Sequence, residues 1–258
     1  MQLTSTKNPR LQAIRRATML GRPTDEGLVV VEGPHLLQEA LDGRWTIEEI
    51  FLTSEARARH TTLRDKVDVP VTELSRRAIA SIGSTETTQE IITLVRPRKW
   101  SWDDLLGRPS LILVMDGIGD PGNAGTMVRS AEAFGASGIV FLKGTVRPSN
   151  GKFTRASAGS IFRVPFLDDI EAATFIRHAH DAGLSIYALM PDSNAYLPRM
   201  RLSDGCALVV GSEGAGVSAE LRDAASPVTI PTQKVESLNA AVACSIALYA
   251  MQQQRASQ

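Results

Sequence analysis

The sequence predicts an α/β protein whose main domain is a parallel sheet flanked by helices, preceded by a smaller α/β unit. Three observations carry this. From residue 111 onward, strand-like runs at 111–116, 138–142, 185–190, 207–211 and 228–231 alternate with helical segments. The runs are continuously apolar, as strands covered on both faces are. A stretch rich in proline, charge and tryptophan, "RPRKWSWDDLLGRPS" (96–110), separates this region from the first hundred residues.

The elements follow in order. "TKNPRLQAIRRATML" places Leu11, Ile14, Ala17 and Met19 or Leu20 at helical spacing, and "LVVVEG" then reads as a strand. "PHLLQEAL" suits a helix with proline in its first turn. "IEEIFLT" is a second strand, "TELSRRAIASI" a helix and "QEIITLVRP" a closing strand. These give a small α/β domain at 1–97, a linker at 98–109 with a short helix at "WDDLLG", and the larger domain at 110–258. Asp103-Asp104 and Asp168-Asp169 fit helix starts, where carboxylates favour the dipole. The last helix, "SLNAAVACSIALYAMQQQ", is apolar almost all round, so it must be buried in its domain or against a second subunit.

Composition sets bounds. In 258 residues, 43% are hydrophobic and 22% charged, which is enough for a sizeable core in a soluble chain. No apolar run reaches the roughly 18 to 20 residues of a membrane span, and the N-terminus has no apolar leader segment, so a cytoplasmic location is expected. Cys206 and Cys244 lie in separate apolar segments and read as buried reduced thiols. The histidines (His35, His60, His178, His180) include one close pair, in a polar helix, so a surface position is expected there and no metal site. The net charge is zero, yet Lys7, Arg10, Arg15, Arg16 and Arg22 precede Pro23 with no acidic residue among them. That arm is either a solvated helix face or a phosphate-contacting surface.

Three loops carry chemistry. "LILVMDGIGDPGNAGTMVRSAEAFGA" contains a G-x-G-x-x-G at Gly117, Gly119 and Gly122. A dinucleotide site also wants an acidic residue at the end of the next strand, and here "GIVFLKG" ends in Lys143. Asn123 is a candidate N-cap, and Arg129 lies one turn beyond Gly125, whose missing Cβ leaves room beside the guanidinium. A cap with a solvated arginine is the plain alternative. "LVVGSEGAGVSAEL" carries Gly211, Gly214 and Gly216 with Glu213 at the tip. It is no hydrolase elbow, because Val210 stands where the first glycine belongs and no histidine follows His180. In "VTIPTQKVESLNAAVACSIALYAM", Ser237 or Asn239 can cap the helix, which leaves the apolar Leu238 unexplained in a polar turn. The ligand edge of such a sheet lies beyond the carboxyl ends of its strands, where these loops gather.

Together, and in this order, the three loops resemble the SpoU (TrmH) family of RNA ribose 2′-O-methyltransferases of the SPOUT superfamily. "GKFTRASAGSIFRVPF" (151–166) is similar to the family's R-x-S-x-G stretch. The first hundred residues resemble an L30e-like substrate-binding domain through "STKNPRLQAI" and "FLTSE", with "TETTQEI" departing from the usual T-x-x-P-Q-G-I. The resemblance implies a C-terminal trefoil knot, a homodimer and S-adenosylmethionine as cofactor, with no metal. It implies cofactor contacts by Leu189, Met190, Gly211, Ile230 and Leu238. It gives Arg129 the role of base, with Asn123, Glu213, Ser237 and Asn239 orienting it or the RNA. A guanidinium stays protonated in water, so the alternative role for Arg129 is to bind phosphate and stabilise alkoxide charge. Lys7, Arg10, Arg15, Arg16 and Arg155 are the expected RNA contacts. The expected substrate is structured RNA, 23S-type ribosomal RNA before transfer RNA. A non-catalytic RNA-binding or ribosome assembly factor of the same fold is the alternative, and a role in antibiotic resistance stays open.

Overall fold

The computed structural model describes residues 8–60, 68–85, 89–107, 110–191, 193–197 and 205–256. They divide into two compact units, one running to Lys99 and including Pro148–Arg163, the other comprising Trp100–Arg147 and the chain from Val164. Residues 148–163, expected within the larger domain, thus belong to the first unit.

In the first unit, β1 (Val29–Glu32), β2 (Thr46–Leu52), β3 (Val71–Glu73) and β4 (Ile91–Arg96) form one sheet in the order β1-β4-β2-β3. The expected closing strand β4 is in fact interior, antiparallel to both β1 and β2, and its residues Ile91 to Val95 are all buried. Helix α1 (Pro9–Leu20) starts where the Asn8 side chain accepts a hydrogen bond from Arg10 N at 2.8 Å, and it ends at Gly21 with φ 58°. Leu11, Ile14 and Ala17 enter the core beside Val30, Phe51 and Leu94, whereas Met19 and Leu20 are exposed. Helix α2 (Pro34–Asp42) has proline in its first turn as expected. A short α3 (Ser54–Arg59), capped by Thr53, follows β2 unannounced by the sequence reading. The segment expected to be all helix opens as β3, and α4 (Arg76–Ala80) begins only after Ser75, whose Oγ accepts from Ala78 N.

Residues 148–163 supply α7 (Gly151–Ala156) and a 3-10 turn at Ser160–Phe162. Phe162 packs edge-on to Trp45 with ring centroids 4.9 Å apart. Gly43 must be glycine there, because a Cβ would lie 2.3 Å from the Phe162 carbonyl oxygen. The R-x-S-x-G residues act as scaffold: Ser157 is buried, and Gly159 sits at φ 89° against Glu39. Glu32 is a buried carboxylate that accepts from Ser84 N (2.8 Å), Ser84 Oγ (2.7 Å), Thr85 Oγ1 and Gln89 N (3.4 Å). Burial alone would raise its pKa, but these hydrogen bonds together outweigh burial and hold the carboxyl below the usual range. Because the folded pKa is depressed, this stabilisation is present above the unfolded value near 4.3 and is lost as pH falls through the folded one. Glu32→Gln is expected to cost about 2 kcal/mol at neutral pH and much less at low pH. Chemical denaturation at several pH values checks this, and an equal loss at all of them counts against it.

The second unit is built on six parallel strands in the order β10-β8-β9-β5-β6-β7, namely β5 (Leu111–Asp116), β6 (Gly138–Leu142), β7 (Phe166–Ile170), β8 (Ser185–Leu189), β9 (Cys206–Gly211) and β10 (Ser226–Val228). Asp168-Asp169 lie in edge strand β7, not at a helix start, and the N-cap of α8 (Ala172–Asp181) is Glu171. An edge strand need not be continuously apolar, so "FLDDI" gave no strand signal. β10 ends three residues earlier than expected, since Thr229 turns its N–H to Ala195 O.

The expected linker is largely part of this unit. In α5 (Trp102–Leu105), Leu105 is buried and Trp102 packs on the core with Trp100 and Leu106. Gly138 has to be glycine, since a Cβ would lie 2.3 Å from Leu105 Cγ. His178 stacks on Trp102 at 4.2 Å and is half-buried rather than a free surface residue. Both cysteines are buried and no disulfide joins them; burial pushes the Cys244 thiol up. Among the described residues no helix is long and apolar enough to cross a membrane, and no cluster of His, Cys, Asp and Glu suits a metal ion.

Candidate active site at the carboxyl edge of the sheet

Strands β5 and β9 are neighbours in the sheet, with Asp116 paired in register to Gly211 at their carboxyl ends. From β5 the chain steps to β6 and β7 on one side, while β8 and β10 lie on the other side of β9. That reversal opens a crevice at the strand ends. A cavity of about 1060 Å3 occupies it. Its walls include Leu189 and Met190 after β8, Val210 and Gly211 at the end of β9, Ile230 after β10, and Leu238 before the last helix. Glu213, Glu236 and Ser237 add polar groups. All five expected cofactor contacts therefore line one cavity, and Leu238, which the sequence left unexplained, is part of its wall.

The loop after β9 doubles back sharply. A Cβ on Gly211 would lie 2.2 Å from Gly216 C and 2.3 Å from Val217 N, so only glycine admits this turn. The turn is held by Gly216 N donating to Ser212 O (2.9 Å) and by Ala215 N donating to Ser212 Oγ (3.2 Å), with Gly216 at φ 67°. Ser218 N, at the start of α9 (Ala219–Ala224), donates to Asp116 Oδ2 at 2.6 Å and ties the loop to the end of β5. Asp116 was not among the expected residues. Its position at a strand's carboxyl end before a glycine is the signal that points to it.

The turn places Glu213 against two amides. Asn123 Nδ2 donates to Glu213 Oε1 at 2.8 Å, Asn239 Nδ2 donates to the same oxygen at 2.9 Å, and Asn239 Nδ2 also reaches Asn123 Oδ1 at 3.2 Å. Asn123 is not the N-cap expected of it. Helix α6 (Pro121–Ala133) begins three residues earlier than that cap would set, with Asp120 as cap, accepting from Asn123 N at 2.8 Å. An Asp directly before a helix-starting proline is the cap signature that the sequence offered. With capping done by Asp120, the Asn123 amide is available to Glu213. Asn239 does both jobs: its Oδ1 caps α10 (Ala240–Ala256), accepting from Ala241 N (2.9 Å) and Val242 N (3.2 Å), while its amide faces Glu213.

The other expected residues fall apart from this cluster. Ser237 lines the cavity and is exposed. Arg129 is exposed on α6, outside the cavity wall, and makes no hydrogen bond or ion pair among the described residues. Gly125 is buried. Lys7 lies outside the described residues. Arg10 is held by Glu26 (2.5 Å) and Glu49 (3.4 Å), and these partners, against some burial, raise its pKa. Arg155 donates to Ser84 Oγ beside Glu32, which makes it a scaffold residue of the first unit. Arg15 and Arg16 are exposed, with Arg16 3.6 Å from Asp25.

α10 packs along α6 through a Ser130–Ser245 hydroxyl contact (2.7 Å) and an edge-on Phe134–Tyr249 pair. Ala241, Cys244, Ala247, Leu248 and Met251 are buried. Val242, Ile246 and Tyr249, one helical stripe, stay 48%, 40% and 51% exposed.

Known proteins share this architecture. The family model described as the SpoU rRNA Methylase family matches residues 110–249, and that of an MRM3-like substrate binding domain matches residues 8–93. The chain is 30% identical over 250 residues to the 23S rRNA (guanosine(2553)-2′-O)-methyltransferase RlmP of Bacillus subtilis, covering 96% of this chain and 98% of that one. It is 28% identical to the 23S rRNA (guanosine-2′-O-)-methyltransferase RlmB of Vibrio vulnificus, over 74% of this chain and 81% of that one. The crystal structure of an AdoMet-bound rRNA methyltransferase from Sinorhizobium meliloti superposes with a TM-score of 0.85 at 27% identity, over 98% of this chain and 97% of that one. On the extent of these matches, this chain belongs to the SpoU rRNA methylase family.

Proposed function

We propose that this protein methylates a ribose 2′-hydroxyl of structured RNA, with 23S-type ribosomal RNA as the substrate class and S-adenosylmethionine as methyl donor. The observation that carries the reading is the cavity at the carboxyl edge, which collects Leu189, Met190, Gly211, Ile230 and Leu238 with Glu213 at the strand ends. Its volume and mixed lining suit a bent nucleoside-sized ligand with charged groups. Apolar walls from Met190, Ile230 and Leu238 suit an adenine face. When bound, S-adenosylmethionine supplies an electrophilic methyl on a sulfonium. The protein's residues hold the hydroxyl in line with that methyl, exclude water and receive the hydroxyl proton, so positioning supplies much of the rate.

Two finer features belong to the same reading. The exposed stripe of Val242, Ile246 and Tyr249 on α10 supports a homodimer formed through this helix. Leu197 N donates to Thr229 O and Thr229 N to Ala195 O, so the chain after β10 runs beside the loop after β8, in keeping with a C-terminal trefoil knot. A ribosomal RNA substrate is in keeping with a cytoplasmic location.

Calorimetric binding of S-adenosylmethionine, followed by mapping of 2′-O-methylation in cells with and without the gene, tests the function. Failure to bind the donor favours a non-catalytic RNA-binding role.

The first unit is the RNA-gripping part, through Arg15 and Arg16, which are exposed on α1 and of which only Arg16 has an acidic partner, the exposed Asp25. Charge reversal at both, Arg15→Glu with Arg16→Glu, is expected to weaken RNA binding about tenfold or more at moderate salt. It should lower the slope of log affinity against log salt by about 2 and leave donor affinity unchanged. Filter binding over a salt series reads this, and an unaltered slope removes α1 from the interface.

A further inference from the structure

Resting on the RNA-binding reading of the first unit given above, we propose that the carboxyl end of α1 is a wedge for an unpaired nucleotide. Met19 and Leu20 meet the base, and Arg15, Arg16 and Arg22 hold the phosphates on either side of it. Met19 and Leu20 are 74% and 60% exposed, more than any other large apolar side chain among the described residues. Leu11, Ile14 and Ala17 already turn the apolar stripe of α1 into the core, so this pair stands on the solvent side, where polar residues are the norm. Residues four apart are neighbours on a helix surface, so Arg15 lies beside Met19 and Arg16 beside Leu20. Arg22, just past the Gly21 cap, is exposed as well. Of the nearby carboxylates, Glu26 is held by Arg10. Asp25 lies 3.6 Å from Arg16 with both side chains exposed, a weak pair that a phosphate can displace.

The placement of the apolar pair argues for a base lying between phosphates. The carboxyl end of a helix carries partial negative charge, which disfavours a phosphate at the tip itself. Gly21 N donates to Thr18 O (3.2 Å) and Arg22 N to Ala17 O (3.1 Å), so these amides are not free for an anion either. What the tip offers is apolar surface, which suits the neutral face of a base; methionine and leucine are among the side chains that wedge between bases. The guanidiniums beside it suit phosphate oxygens. A continuous duplex hides its base faces, so the partner is RNA with a bulge or loop. Other occupants fit worse. A helix lying on a membrane inserts its whole apolar face, and that of α1 is in the core. A second copy docked on the same patch would bring its three arginines against these three.

The test compares two RNA probes on the full-length protein: a hairpin with 2-aminopurine in a bulge, and the same hairpin fully paired. The wild type is expected to bind the bulged hairpin about tenfold tighter, with a change in 2-aminopurine fluorescence that reports altered stacking. Met19→Ser with Leu20→Ser should abolish both the preference and the fluorescence change, while affinity for the paired hairpin stays within about twofold. The slope of log affinity against log salt should hold, because no charge is lost. Both side chains are exposed, so the thermal unfolding midpoint and S-adenosylmethionine affinity should also hold. Met19→Phe should keep the preference. Equal binding of the two probes by the wild type, a double variant that keeps the preference, or one that weakens both probes alike overturns the proposal. So does a double variant that loses binding to phosphatidylserine vesicles or changes oligomeric state, since lipid or a second copy is then the occupant. A wild type that binds neither probe fails the RNA-binding reading itself, and the proposal with it, an outcome distinct from equal binding.

Discussion

Gly211→Ala is expected to abolish S-adenosylmethionine binding at micromolar concentrations, a loss on the order of a hundredfold, or about 3 kcal/mol. The added Cβ would stand 2.2 Å from Gly216 C, 2.3 Å from Val217 N and 2.4 Å from Gly216 O. All three are backbone atoms, so no rotamer change relieves the overlap, and the returning strand of the loop must move by about an ångström to reach ordinary contact. That movement breaks the Gly216 N to Ser212 O bond and loosens the Ser218 N to Asp116 Oδ2 tie, which together set the cavity wall. Glu213 rides on the same turn and leaves the two amides. Gly214→Ala is the matched control, since a Cβ there meets nothing within 4 Å and the φ is ordinary. Calorimetry on both variants reads the result. Equal donor affinities would mean that the loop after β9 does not frame the donor site.

Much of this site was legible in the sequence because it depends on short loops whose chemistry is local. Gly211, Glu213 and Leu238 sit in turns that a continuous apolar strand must end in, and the order of the three loops carried the family resemblance. The errors have a common cause, which is competition between neighbours for one role. Asp120 and Asn123 both suit a cap, and the geometry of Pro121 at the first helical position decides for Asp120. In the first unit, β4 comes last in the chain yet lies inside the sheet, because strand order is a tertiary fact that no local pattern encodes. Residues 148–163 belong to the first unit for the same reason. The R-x-S-x-G spacing was visible, but its partners Glu32, Glu39 and Ser84 lie more than seventy residues away in the chain. Arg10 and Arg155 have acidic or hydroxyl partners within the first unit that no local pattern announces.

Arg129→Ala is expected to reduce methyl transfer about a thousandfold while leaving S-adenosylmethionine affinity unchanged. The two halves of this expectation have separate grounds. Donor affinity should hold because Arg129 lies outside the cavity wall and makes no hydrogen bond or ion pair among the described residues, so its removal unmakes nothing in the donor site. Transfer should fall because an exposed guanidinium on α6, the helix that also carries Asn123, is suited to grip an RNA phosphate and so to hold the ribose hydroxyl in line with the methyl. Arg129→Lys separates these contributions, since lysine keeps the charge but loses the two-pronged geometry. Lysine should recover part of the RNA affinity and less of the rate. The slope of log affinity against log salt should fall by about 1 in Arg129→Ala and stay at the wild-type value in Arg129→Lys. Loss of donor binding in Arg129→Ala would instead make the residue a support of the fold.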